Sequence, residues 1–242
     1  MEVDPGHIGG HIMRQYDEDL ETIRAKVLKM GGLVEELVRE ALQALRDSDY
    51  ELGEKVVRDD HRVNSMEVSI DEDCQSIIAL RQPKAGDLRM VIAIIKTITD
   101  LERIGDEAEK IGRMSSRLAR NGTVSRKYLS GVMTMGAAVQ SMVRESLDAF
   151  ARLDVEEALR VVRSDEHVDE QYEATLRSLM TYMMEDPREI SKVMDMIWCA
   201  RALERIGDHA KNICEYIIFL VKGKDVRHTS FEQMEQRAHG VD

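Results

Sequence analysis

Apolar residues recur every three or four positions along this chain, over stretches much longer than one helical turn. Across residues 13–46 they fall at Tyr16, Leu20, Ile23, Val27, Met30, Val34, Leu37, Ala41 and Leu45. Alternating steps of four and three make the seam of a helix packed along its length against others. The same period returns after each break. Asp47-Ser48-Asp49 supplies turn and N-cap chemistry, Gln82-Pro83-Lys84-Ala85-Gly86 ends a second helix, and Asn121-Gly122 stops a third. Beyond them the pattern predicts a fourth helix over 125–151, a fifth capped by Asp154, and a sixth running to residue 222. Asp186-Pro187 opens the sixth as an N-cap followed by proline at the first helical position. Gly31-Gly32 is expected to weaken or bend the first helix. The fold class is all-α, with six long helices.

The second three helices copy the first three. Leu101-Glu102-Arg103-Ile104-Gly105-Asp106 returns letter for letter as Leu203-Glu204-Arg205-Ile206-Gly207-Asp208. The run from Ala41 to Asp60 aligns without gaps on Ser146 to Asp165, keeping Leu42/Leu147, Asp49/Asp154, Val56/Val161 and Asp60/Asp165. Self-similarity at a fixed spacing marks duplication of one supersecondary unit. The chain therefore divides into a flexible tail (1–12), a three-helix bundle (13–121), a second bundle (122–222) and a flexible C-terminal tail (223–242).

Composition narrows the function classes. A formal net charge of -12 argues against a nucleic-acid partner, which needs concentrated Lys and Arg. The longest apolar runs, 90–95 and 216–221, are far short of the ~20 residues that span a bilayer, so no direct membrane insertion and a cytoplasmic location are expected. Cys74, Cys199 and Cys214 lack metal or redox spacing and read as reduced core cysteines. His61, His167 and His209 lack repeat partners and read as surface or packing residues.

The chemistry lies in carboxylates at places where the period calls for apolar residues. Glu102 and Asp106 are four apart, so they project side by side on one helix face, as do Glu204 and Asp208. Gly105 and Gly207 permit a close approach beside them. Asp60 sits in the seam Val56, Asp60, Val63, Ile70, and Asp165 holds the corresponding place in the fifth helix. Glu40, matched by Glu145, adds a third helix to each set. A carboxylate in a seam costs several kcal/mol unless it is paired or ligates a cation. Acids converging from three helices can hold a hard or borderline cation. The competing account is an ion-pair network through Arg58/Arg163 and Arg103/Arg205.

These residues carry a family resemblance. The doubled hexapeptide in a duplicated three-helix unit, together with Arg81-Gln82-Pro83, Asp87-Leu88-Arg89, Leu179-Met180-Thr181-Tyr182 and Asn212-Ile213-Cys214-Glu215-Tyr216, is similar to the PhoU family of bacterial phosphate-signalling regulators. The family's acidic signature falls on Glu102/Asp106 and Glu204/Asp208. The resemblance implies bound divalent or trivalent ions, such as iron, zinc, manganese or magnesium, and an adaptor without catalysis. It also implies a homodimer that links the ATPase subunit of the phosphate-specific ABC transporter to a sensor histidine kinase. Through that link the phosphate regulon and phosphate uptake are restrained when phosphate is plentiful.

Two other readings stand beside it. One is a di-metal carboxylate enzyme, against which the lack of any Glu-x-x-His counts. The other is a purely structural bundle whose acids only make ion pairs.

Overall fold

A computed structural model describes residues 5–240 except 82, 84 and 123, with the side chains of 5–17, 81 and 85 left aside. Six long helices follow one another: α1 Pro5–Asp47, α2 Tyr50–Arg81, α3 Ala85–Arg120, α4 Arg126–Arg152, α5 Val155–Glu185 and α6 Ile190–Lys222. A short α7, Phe231–His239, closes the chain, and no strand occurs among the described residues.

The seam read along α1 is the buried one. Ile23, Val27, Met30, Val34, Leu37, Ala41 and Leu45 all lie in the core. Helices α1–α3 pack on each other, as do α4–α6, and α3 packs against α6 about as extensively as against α2. The two halves thus share one continuous apolar core.

The duplication is visible in backbone detail. Ser48 and Leu153, 105 positions apart, both take positive φ, at 52° and 53°. After them Asp49 N donates to Ala44 O and Asp154 N to Ala149 O, both at 3.0 Å. The caps repeat as well: Asp49 Oδ1 accepts from Leu52 N, and Asp154 Oδ1 from Glu157 N, again at 3.0 Å.

Helix α1 runs unbroken through Gly31-Gly32, and Gly31 is a contact point. A Cβ at Gly31 would stand 2.4 Å from Leu147 Cδ2, and one at Gly136 would stand 2.6 Å from Leu42 Cδ2. Since Gly31 corresponds to Gly136 and Leu42 to Leu147, α1 and α4 meet reciprocally. That is the contact pattern of a two-fold axis within one chain.

Three end regions differ from the sequence expectation. Helix α1 already begins at Pro5, inside the segment 1–12 read as a flexible tail. Asp186-Pro187 opens a 3-10 turn, Pro187–Glu189, and α6 starts only at Ile190. The segment after residue 222, read as a flexible tail, is folded: Gly223 at φ 70° ends α6, and Val226 is fully buried. Ser230 and Gln233 then form a capping box for α7, whose Met234 and Ala238 join the core. Short polar stretches hid these few anchoring residues from a periodicity argument.

Candidate metal centre

The first carboxylate cluster forms where α2 crosses α3. Gly105 lets the helices close up, since a Cβ there would lie 2.8 Å from Asp60 Oδ1. Asp60 is 7% exposed; its Oδ2 accepts from Asn64 Nδ2 at 3.3 Å, while its Oδ1 has no partner. Burial first, then the charges of Asp106 and Glu109, push the Asp60 carboxyl up to about 6. Glu102 is also raised, by burial and then by Asp106 and Glu67. Arg103 and Arg58 are exposed and make no ion pair among the described residues; the charge of Arg103 opposes the rise of Glu102 without reversing it. Glu109 is engaged by Arg113, which leaves Asp60 without a cation.

The second cluster, between α5 and α6, is built on the same frame with different charges. Asp165, 2% exposed, receives Lys211 Nζ on Oδ2 at 2.6 Å. Glu204 Oε1 accepts from Arg201 at 2.7 Å, and its Oε2 has no partner. Burial and then Asp165 raise Asp208, with Lys211 opposing; burial, Asp165 and Asp208 raise Asp169. Arg205 reaches across to the other half, donating through Nε to Glu107 at 2.6 Å, while its charge still opposes the rise of Glu204. Arg163 stacks on Phe231. Among the described residues none of Arg58, Arg103, Arg163 and Arg205 makes an ion pair with a cluster acid.

Two of the candidate acids stand apart. Glu40 on α1 is held by Lys55 at 2.6 Å to each oxygen, and Glu145 on α4 accepts from Ser141 Oγ at 2.6 Å. Asp60, Glu102 and Asp106 act on one another electrostatically, as do Asp165, Glu204 and Asp208 through Asp169. The acids therefore gather from two helices per half rather than three.

The donor chemistry suits a hard or borderline cation: oxygen ligands, an orphaned buried Oδ1 on Asp60, and mutual repulsion that a cation would relieve. The geometry is not a finished coordination sphere. Among the described residues no three His, Cys, Asp or Glu side chains converge closely enough to hold a metal ion.

Asn64, Glu109, Asp169 and Lys211 are not among the site candidates of the sequence. The signal was available: the 102-residue spacing that aligns the hexapeptides pairs Glu109 with Lys211, and the 105-residue spacing pairs Asn64 with Asp169. His209, read as a surface or packing residue, is buried and joins α6 to α3 through Nδ1 and Asp100 Oδ1 at 2.7 Å. The three cysteines are free and buried, as expected.

Fold and clusters together define a tandem three-helix-bundle protein whose halves carry the same acidic helix face. The chain belongs to the PhoU family: the PhoU domain is matched twice, at residues 27–114 and 132–217. It is 50% identical over 226 residues to the phosphate-specific transport system accessory protein PhoU homolog of Pseudomonas aeruginosa, covering 93% of each chain. With the phosphate-specific transport system accessory protein PhoU of Escherichia coli K12 it shares 45% identity over 240 residues, 99% of each. Among solved structures, PhoU from Pseudomonas aeruginosa superposes with a TM-score of 0.84 at 50% identity, over 86% of this chain and all of that one. The phosphate transport system regulatory protein PhoU from Streptococcus pneumoniae gives 0.80 at 30% identity, over 87% and 99%. Among the described residues no helix is long and apolar enough to cross a membrane.

Proposed function

We propose that this chain is a regulatory accessory protein of a phosphate-specific transport system, working by docking on partners rather than by turnover. The observation that carries this reading is identity along essentially the whole length with proteins of that name. In the finer form of the proposal it acts in the cytoplasm as a homodimer. It couples the transporter's ATPase subunit to a sensor histidine kinase and restrains the phosphate regulon and phosphate uptake when phosphate is abundant. Long helical faces suit such docking.

The proposal includes a divalent or trivalent cation (iron, zinc, manganese or magnesium) at the first cluster, with Asp60, Glu102 and Asp106 as ligands. The orphaned Asp60 Oδ1 supports it. A cation there would neutralise the repelling carboxylates and tie α2 to α3. For the second cluster a specific observation favours the purely structural reading: Lys211 already supplies a positive charge to Asp165.

The test is capture of purified transporter ATPase and sensor kinase by wild type and by Glu102→Ala/Asp106→Ala and Glu204→Ala/Asp208→Ala variants, with metal content measured on the same samples. Binding by wild type supports the adaptor reading, and capture of neither partner sinks it. Joint loss of metal and binding in the first variant would make the cation part of the docking surface.

A further inference from the structure

Five of the eleven large apolar side chains that stand exposed among the described residues fall between positions 180 and 198. Met180 and Met184 form one row on α5; Ile190, Met194 and Trp198 form another on α6, each residue about a turn from the next. The two helices are antiparallel, and the Arg201 guanidinium lies 5.9 Å from the Tyr172 ring centre. That register sets Met180 opposite Met194 and Met184 opposite Ile190, so the rows adjoin along the hairpin. Trp198 is 55% exposed and Met184 76%. Single apolar residues on a surface need no explanation, but two adjoining rows do.

The first half lacks this face. At the same spacings Gln75, Ala79 and Lys96 stand where the second half has Met180, Met184 and Trp198, and Lys96 lies over the Tyr216 ring at 5.3 Å. The repeat folds its hairpin without the rows, so the fold does not require them.

Cations border the rows. Residues 110–144 carry seven Lys and Arg and no Asp or Glu, in a chain whose net charge is -12. That run meets the hairpin at two places. Lys127 Nζ stands 3.4 Å from Glu185 Oε2, next to Met184, with the exposed Arg126 beside it. Arg117 pairs with Asp195, one turn before Trp198, and with Arg113 and Arg120 lines a cleft of about 430 Å³. Arg120 stacks on Tyr50 at 4.6 Å, and neither it nor Arg126 makes an ion pair among the described residues.

Anchors at i, i+4 and i+8 beside a second apolar row, with cations at both ends, match a helix laid along the hairpin. Methionines adapt to a partner's side chains, and an exposed tryptophan is a common anchor of interfaces. We infer that the α5–α6 face seats an amphipathic helix of a partner protein, whose apolar residues lie along the two rows and whose flanking carboxylates meet Arg120 and Arg126. An anionic bilayer is the poorer occupant, because Glu185, Asp186 and Glu189 stand at the tip of the hairpin. A second copy is poorer too, since two chains of charge -12 repel each other. The inference gives the docking proposed above a face and a kind of partner, and in that respect rests on that reading. It uses no acid of either carboxylate cluster.

Trp198 is the one tryptophan of the chain, so its fluorescence reports on the face directly. The full chain is titrated with a synthetic helix-forming peptide carrying leucine every three or four residues and glutamate on both flanks. The same peptide with lysine in place of glutamate is the control. The expected result is a saturable blue shift with the glutamate peptide and about tenfold weaker binding of the lysine peptide. Met180→Ser/Met184→Ser and Arg120→Glu/Arg126→Glu, all changes at exposed side chains, should each weaken the glutamate peptide about tenfold. No saturable shift, an equal response to the lysine peptide, or undiminished binding in either variant would each overturn the inference. A shift given by phosphatidylserine vesicles, or by concentrating the protein alone, where the peptide gives none, would overturn it too. Capture of purified transporter ATPase and sensor kinase separates the face from the adaptor role. A partner held equally by wild type and by Met180→Ser/Met184→Ser overturns the face and leaves the role. Peptide binding by a protein that captures neither partner sinks the role and supports the face.

Discussion

The two halves use one backbone to solve the same electrostatic problem in opposite ways. Each buries an aspartate, Asp60 or Asp165, against a helix carrying Leu-Glu-Arg-Ile-Gly-Asp. In the second half the residue seven after Glu204 is Lys211, and its ammonium sits on Asp165. In the first half the same place holds Glu109, which adds to the repulsion on Asp60. The exchange of Glu109 for Lys211, with Asn64 replaced by Asp169 beside it, thus separates an ion-paired aspartate from a cluster that lacks a cation. The approach of the helices differs with it: a Cβ at Gly105 would meet Asp60 Oδ1 at 2.8 Å, whereas one at Gly207 would meet Asp165 Oδ1 at 3.6 Å.

The largest effect expected from this contrast is in the second half. Lys211→Met strands Asp165 in the core and should cost about 3 kcal/mol of unfolding free energy, the low end for a broken buried pair because the lysine is partly exposed. Chemical denaturation measures it, and an unchanged midpoint would mean Lys211 does not compensate Asp165. Metal should act on the other half. At a hundredfold excess over the dissociation constant a bound cation adds ~2.7 kcal/mol. The gain should vanish in Asp60→Asn/Asp106→Asn and survive in Asp165→Asn/Asp208→Asn; the reverse outcome would invert the comparison.

The pH dependence comes next, in metal-free buffer. The folded value of about 6 for Asp60 lies above the ~3.9 of an unfolded aspartate, so the native state holds this proton more tightly. The stabilisation is fully present below pH ~4 and is lost as pH rises through about 6. Between pH 4 and 7.5 wild type should therefore lose about 2 kcal/mol relative to Asp60→Asn, a shift of two units being worth that order. Parallel pH curves for the two proteins would remove the electrostatic account of the first cluster. The smallest expected effect is steric. Gly105→Ala should destabilise by ~1–2 kcal/mol through the clash with Asp60, and Gly207→Ala should be neutral or gain up to ~1 kcal/mol from helix propensity. Equal melting shifts would show that the difference in spacing does not matter.

Much of this architecture was legible before any coordinates. The seam of α1, the duplication, Asp49 and Asp154 as caps, and the buried places of Asp60 and Asp165 all follow from periodicity and from internal alignment, because each is a local property repeated twice. Glu40 and Glu145 were misjudged for a physical reason. Adjacency to a seam says which helix face a residue occupies, but not which neighbour reaches it, and Lys55 reached Glu40. Lys211 stands three residues after Asp208, the spacing of an ordinary solvated helix pair. Only the packing of α5 on α6 shows that its charge is spent on Asp165.

The sequence by itself determined the helices, their number in the long form, the two-fold repetition and the family, since these rest on patterns within one element or on identity between elements. The tertiary structure decided which charges meet. It sent Arg205 across the molecule to Glu107 while leaving Arg103 in solvent, joined His209 to Asp100, and folded the last residues back over α6. Electrostatic partnership is set by distances of a few ångströms between side chains far apart in the chain, and helical periodicity carries no information about those distances.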